Sequence, residues 1–167
     1  MTQHAHTEAG KDRTAQIAVI TCSDTRTKET DSSGTLIVRS VTEAGHHLVS
    51  HVIVREDPAL ILHSLDAAIH ESANIILING GTGISKRDNT FEVLSKLLDT
   101  QLPGFGELFR SLSFAEIGSA SMLSRAQAGR YRSAIVFSMP GSTGAVRLAM
   151  TQLILPQLGH LVSELEK

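Results

Sequence analysis

Short apolar runs alternate along this chain with amphipathic stretches, and their spacing predicts the elements. Ile17-Ala18-Val19-Ile20-Thr21 is a β-branched run that stops at the turn formers Ser23-Asp24-Thr25, as a buried strand entering a loop does. After Ser32-Ser33-Gly34 the apolar positions Leu36, Ile37, Val41 and Ala44 keep helical spacing, and Gly45 stands where a C′ glycine ends a helix. Residues 47–55 predict a second strand. Asp57 before Pro58 is the arrangement of an N-cap carboxylate and an N1 proline, and Ile61, Leu62, Leu65, Ala68 and Ile69 continue it as one helix face. Asn74-Ile75-Ile76-Leu77-Ile78 is apolar without alternation, the habit of a parallel strand covered on both faces, and it leads into Gly80-Gly81-Thr82-Gly83.

Asn89 with Glu92 three residues later predicts a capping box, followed by the stripe Phe91, Leu94, Leu97, Leu98 until Pro103-Gly104 breaks it. Two short helical pieces are expected over residues 105–127. Ser133-Ala134-Ile135-Val136-Phe137-Ser138 reads as the fourth strand, ending at Pro140-Gly141-Ser142. Ala145, Leu148, Ala149, Gln152 and Leu153 then trace a helix to Pro156, and residues 161–165 a last one. The repeated order strand, loop, helix predicts an α/β fold: a single three-layer αβα sandwich with a mostly parallel sheet and right-handed crossovers.

Composition narrows this without altering it. At 167 residues, 41% hydrophobic and 19% charged, the chain is expected to form one domain over residues 17–167 behind a flexible polar tail, 1–16. The apolar stretches fall short of the roughly 20 residues that span a bilayer, and the tail lacks the apolar core of a secretory signal. Cys22 is the sole cysteine, so no intrachain disulfide forms and a cytoplasmic location is expected. A net charge of -2 with scattered basic residues gives no reason to expect nucleic acid as a partner. His46, His47 and His51 lack the companions of a metal site and read as ordinary strand or surface residues, and Cys22 as a small apolar residue.

In sheets of this kind ligands bind beyond the carboxyl ends of the strands. The polar loops Ser23-Asp24-Thr25, Glu56-Asp57, Asn79 to Asp88 and Met139-Pro140-Gly141-Ser142 all follow strands, so one site built from them is expected. Glycines bring backbone amides close to an anion. The loop fits neither the Walker spacing nor G-x-G-x-x-G, and a plain tight turn is its competing reading. Lys86, Arg87 and Asp88 supply cations for phosphate oxygens and a carboxylate able to hold Mg²⁺. Taken singly, Asp88 also reads as a helix-start carboxylate, Arg87 as a solvated charge and Asp57 as a cap.

Asn79-Gly80-Gly81-Thr82-Gly83 with Arg87-Asp88-Asn89-Thr90, then Pro103-Gly104-Phe105-Gly106-Glu107, Ser124-Arg125 and Met139-Pro140-Gly141-Ser142 resemble in order the motifs of the MoaB/Mog family. This is the family of molybdenum cofactor biosynthesis protein B and molybdopterin adenylyltransferase, and the resemblance covers about residues 17–158, nearer the B branch. It implies binding of molybdopterin and, in the catalytic branch, transfer of AMP from Mg-ATP to its terminal phosphate with release of pyrophosphate. It implies catalytic roles for Asp57 and Asp88, the second through Mg²⁺. Substrate or nucleotide binding is implied for Asp24, Gly80, Gly81, Thr82, Gly83, Arg87, Thr90, Glu107, Ser124, Arg125, Pro140, Gly141 and Ser142. A homotrimer or homohexamer and partners within the molybdenum cofactor pathway are further implications. Asn79 departs from the family's usual Thr, and Glu56-Asp57-Pro58 from its commoner order of Pro and acidic residues. The rival readings are a non-catalytic molybdopterin carrier using the same loops, and a generic nucleotide or flavin module.

Overall fold

The computed structural model describes residues 13–167. The predicted tail thus lies mostly outside the described residues; of its last four, Ala15 is buried and Gln16 opens the first strand.

Six strands make one sheet: β1 (Gln16–Cys22), β2 (His47–Val54), β3 (Ile75–Asn79), β4 (Thr100–Gln101), β5 (Gln127–Tyr131) and β6 (Ala134–Met139). Their order is β2-β1-β3-β6-β5-β4. The first four in that order are parallel, and β5 and β4 add an antiparallel margin. The run expected to be the fourth strand is therefore the sixth, because β4 and β5 precede it in the chain. The expected mostly parallel sheet is present.

The helices are α1 (Ser32–Glu43), α2 (Pro58–His70), α3 (Thr90–Leu97) and α4 (Pro103–Ile117), the last continued by a 3₁₀ turn, Gly118–Leu123. A single 15-residue helix with this turn replaces the two short pieces expected there. After β6 come α5 (Thr143–Leu148), a π-helical stretch Ala149–Ile154, a 3₁₀ turn Leu155–Gln157 and α6 (Leu158–Leu165).

Successive side chains of a strand point to opposite faces, and here both faces are apolar. Ile17, Val19, Ile75, Leu77, Ile135 and Phe137 join a core with α1, α4, α5 and α6. Ala18, Ile20, Ile76, Ile78 and Val136 join a second core with α2 and α3. Phe105 meets Phe137 edge-on at 5.0 Å between ring centroids, a favoured aromatic geometry. Helices on both faces make the three layers. Because α1 and α2 leave β1's neighbourhood on opposite faces, the carboxyl ends of β1 and β3 border the crevice where such folds take their ligands.

The local signals behave as their chemistry dictates. Asp57 caps α2, its Oδ1 accepting from the amides of Ala59 and Leu60 at 2.9 and 3.2 Å. Gly45 ends α1 with φ +82°. The capping box at Asn89 is absent: Asn89 makes no side-chain cap bond, and its Nδ2 donates to the carbonyls of Glu56 and Arg87 instead. Glu92, the other half of that box, pairs with Arg125. No helix of the described residues is long and apolar enough to cross a membrane.

Candidate active site

The loop after β3 is shaped by three close approaches that leave no room for side chains. Gly80 and Gly81 have φ of +95° and +65°, where a Cβ is strained. A Cβ on Gly80 would lie 2.2 Å from the carbonyl oxygen of Cys22, and one on Gly81 2.1 Å from Thr90 Oγ1. Gly141, after β6, lies against Gly80, so the loops of two neighbouring strands touch. Ser33 at the start of α1 donates to the Gly141 carbonyl at 2.8 Å and ties that second loop down.

Among the described residues nothing accepts from the amides of Gly81, Thr82 and Gly83, nor from those of Gly141 and Ser142. Amides left open in two adjoining loops can receive an anion. They border a cleft of about 340 Å³ lined also by Asp88, Ser124, Pro140 and, on an apolar wall, Phe109, Ile117 and Leu123. That wall suits a flat heterocycle. It is built by α4 and its 3₁₀ extension, the region whose structure the sequence pattern left least defined.

A second cavity of about 210 Å³ adjoins at Asp88 and is lined by Ser23, Asp24, Thr25, Glu56, Ser85 and Arg87. Glu56 Oε2 is buried there without a hydrogen-bond partner. Burial, followed by the negative charges of Asp88 and Asp24, pushes the Glu56 carboxyl up to about 7, against the pull of Arg87. Asp24 Oδ1 accepts from the Glu56 amide at 3.3 Å and Asp88 Oδ2 from the Ser85 amide at 2.8 Å. Three carboxyl groups facing one cavity with a single arginine make a locus that favours an added cation.

Beneath the loops lies a buried polar network. Asn79 Nδ2 donates to Thr21 Oγ1 at 2.9 Å, and Thr21 Oγ1 donates to Asp31 Oδ2 at 2.6 Å. His51 Nε2 stands 3.1 Å from that same oxygen, and Asp31 Oδ1 caps α1 through the Gly34 amide. Asn79 is thus the donor that ties the end of β3, where the glycine loop begins, to β1.

The sequence-derived residues fall into groups. Gly81, Thr82, Gly83, Ser124, Pro140, Gly141 and Ser142 line the cleft, Asp24 and Arg87 line the acidic cavity, and Asp88 borders both. Gly80 opens the loop against the Cys22 carbonyl without lining either cavity, and Thr90 lies beneath Gly81, fully buried. Asp57 borders neither cavity and is engaged as a cap; the neighbouring Glu56 faces the acidic cavity in its place. Glu107 lies on α4 in a separate groove with Arg110 and Gln127. Arg125 sits beside the loop with its donors taken by protein groups. The sequence places Glu56 in the Glu56-Asp57 loop at the end of β2 but assigns it no role of its own, because Asp57-Pro58 is so strong a capping signal.

Residues 18–160 match the sequence profile of the family described as "Probable molybdopterin binding domain". The chain is 54% identical over 151 residues to molybdenum cofactor biosynthesis protein B of Bacillus cereus, covering 89% of each. A crystal structure of molybdenum cofactor biosynthesis protein B superposes with a TM-score of 0.89 at 52% identity, over 92% of this chain and 97% of that one. The tungsten cofactor synthesizing protein MoaB from Pyrococcus furiosus gives 0.84 at 35% identity, over 93% and 99%.

Proposed function

The chain belongs to the molybdopterin-binding family of molybdenum cofactor biosynthesis proteins, and from that premise we propose that it binds molybdopterin and transfers AMP to it from Mg-ATP. The observation that carries this is the position of Asp88, on the border between an amide-rich cleft with an apolar wall and a cavity lined by carboxyl groups. Such a pair of compartments suits two anionic substrates, one held by neutral donors and one that arrives with a cation.

In this reading the terminal phosphate of molybdopterin lies against the open amides of Gly81 to Gly83, with the heterocycle toward Phe109, Ile117 and Leu123. ATP brings its phosphates toward Asp88, where Arg87 offers a guanidinium. An oxygen of the molybdopterin phosphate attacks the α-phosphorus of ATP, the bond from that phosphorus to the bridging oxygen breaks, and pyrophosphate leaves. An ionised phosphate needs no general base, so the chain's task is alignment of two anions and neutralisation of developing charge.

Mg²⁺ fits the donor set: Asp88, Asp24 and Glu56 face one cavity, and Glu56 Oε2 lacks a partner. Among the described residues no three carboxylate, histidine or cysteine side chains converge tightly enough to cage a metal alone, so an ion held here would complete its shell with water and substrate phosphates. When bound it would supply charge neutralisation to the leaving pyrophosphate.

The test is purified protein with molybdopterin and Mg-ATP, read by pyrophosphate release and formation of adenylylated molybdopterin. Asp88→Asn should lower kcat/KM by about 100-fold or more, in the range seen when one electrostatic partner of a transition state is removed, and weaken the Mg²⁺ dependence. Binding of molybdopterin with no pyrophosphate release by the wild-type protein would make it a carrier.

A further inference from the structure

Arg125 follows Ser124, which lines the cleft, and its bonds reach the carbonyl side of the glycine loop. Its Nε donates to the Thr82 carbonyl at 3.0 Å and its Nη2 to the Gly83 carbonyl. Nη1 pairs with Glu92 Oε1, and Nη2 lies 3.4 Å from Glu92 Oε2. The guanidinium also lies over the Phe91 ring, 4.8 Å from its centroid. Nearly every donor of the fork is therefore committed to protein groups, and the side chain is only 23% exposed.

We infer that Arg125 is a positioning residue, holding the carbonyls of Thr82 and Gly83 so that the loop presents its amides to the anion, and does not itself bind that anion. The inference rests on the proposed phosphate site in the Gly80 to Gly83 loop. In a trans peptide the N–H points opposite to the C=O, and the described residues contain no cis peptide. Drawing the Thr82 and Gly83 carbonyls to the guanidinium turns the amides of Gly83 and Ile84 away from it. Nothing among the described residues accepts from either amide. A loop with glycine at 80, 81 and 83 has few side chains to brace itself, and glycine loses the most conformational freedom on ordering. Arg125 and Glu92 supply the brace from outside, Glu92 on α3 and Arg125 just before β5.

Lysine separates the two roles, since it keeps the charge and loses the planar fork that grips two carbonyls at once. Inorganic pyrophosphate binding is measured by calorimetry, alongside the thermal midpoint and ¹⁵N order parameters of the Gly81 to Ile84 amides without ligand. Arg125→Lys and Arg125→Ala should weaken binding alike, by about tenfold, the scale of one charged hydrogen bond. The amide order parameters should fall in both. In turnover the loss should appear in KM for molybdopterin more than in kcat. Glu92→Gln, a milder change should the arginine variants fold poorly, should weaken binding about twofold to fivefold by loosening the guanidinium. Wild-type affinity in Arg125→Lys, unchanged amide order in both arginine variants, or tighter binding in Glu92→Gln would overturn the inference. Failure of the wild-type protein to bind pyrophosphate would instead count against the phosphate site, and the order parameters would still decide whether Arg125 braces the loop.

Discussion

At the scale of single residues, the site depends on atoms that are missing as much as on those present. Gly81 has φ +65° and faces Thr90 Oγ1 at a distance no Cβ could share. Gly81→Ala should cost roughly 1–3 kcal/mol of stability and abolish pyrophosphate binding, measured by urea unfolding and calorimetry. Adding Thr90→Ala should recover part of the stability and none of the φ strain; a Gly81→Ala variant that matches the wild type in both measurements would contradict this account. Glu56 gives a pH signature. With its carboxyl raised from the ordinary value of 4.5 to about 7 in the folded protein, the folded state holds a proton that the unfolded chain has lost between those values. Stability is then greatest below pH 4.5 on this group's account, falls as pH rises toward about 7, and levels above it. Glu56→Gln should flatten that slope and raise the melting temperature at pH 8. Added Mg²⁺ should do the same in the wild type, because a cation offsets the repulsion among Glu56, Asp88 and Asp24.

At the scale of elements, local chemistry and tertiary pairing divide the chain between them. Asp57 is a cap by its bonds, so Asp57→Ala should cost about 1 kcal/mol of stability and leave kcat/KM for adenylyl transfer within about twofold of wild type; equilibrium unfolding and the turnover assay check the two halves. Loss of turnover with stability intact would give Asp57 a part in the chemistry. The helix α2 was legible because Asp57 and Pro58 act within one turn, and β1 and β3 because isoleucine and valine runs have few other uses. The strand β5 was not, since Gln127-Ala128-Gly129-Arg130-Tyr131 has little strand character of its own. It is a strand because β6 and β4 flank it, and Gly129 is needed where a Cβ would meet the Thr100 carbonyl at 2.4 Å. The Asn89 to Glu92 pattern misled for the same reason: Arg125, distant in sequence, draws Glu92 away.

At the scale of the molecule, the repeated order strand, loop, helix and the unbroken apolar run of β3 made the three-layer form readable, and the rule that ligands lie past the carboxyl ends of strands pointed to loops that line the cleft and the acidic cavity. The partition of that site was not readable. Which carboxylate faces the cavity, and whether Arg125 meets ligand or backbone, depend on how α3, α4 and the strand ends come together, and no residue spacing records that. The sheet order carries one more consequence. The apolar strand β3 has β1 on one side and β6 on the other, yet β6 is the last strand to be made. While the chain is being synthesised, the run Ile75-Ile76-Leu77-Ile78 is born with one edge unpaired, and an open apolar edge invites pairing with another chain. The newborn polypeptide thus carries its glycine loop for more than fifty residues before the strand that covers β3's open edge is made, and a ribosome that stalls ahead of β6 leaves that edge bare.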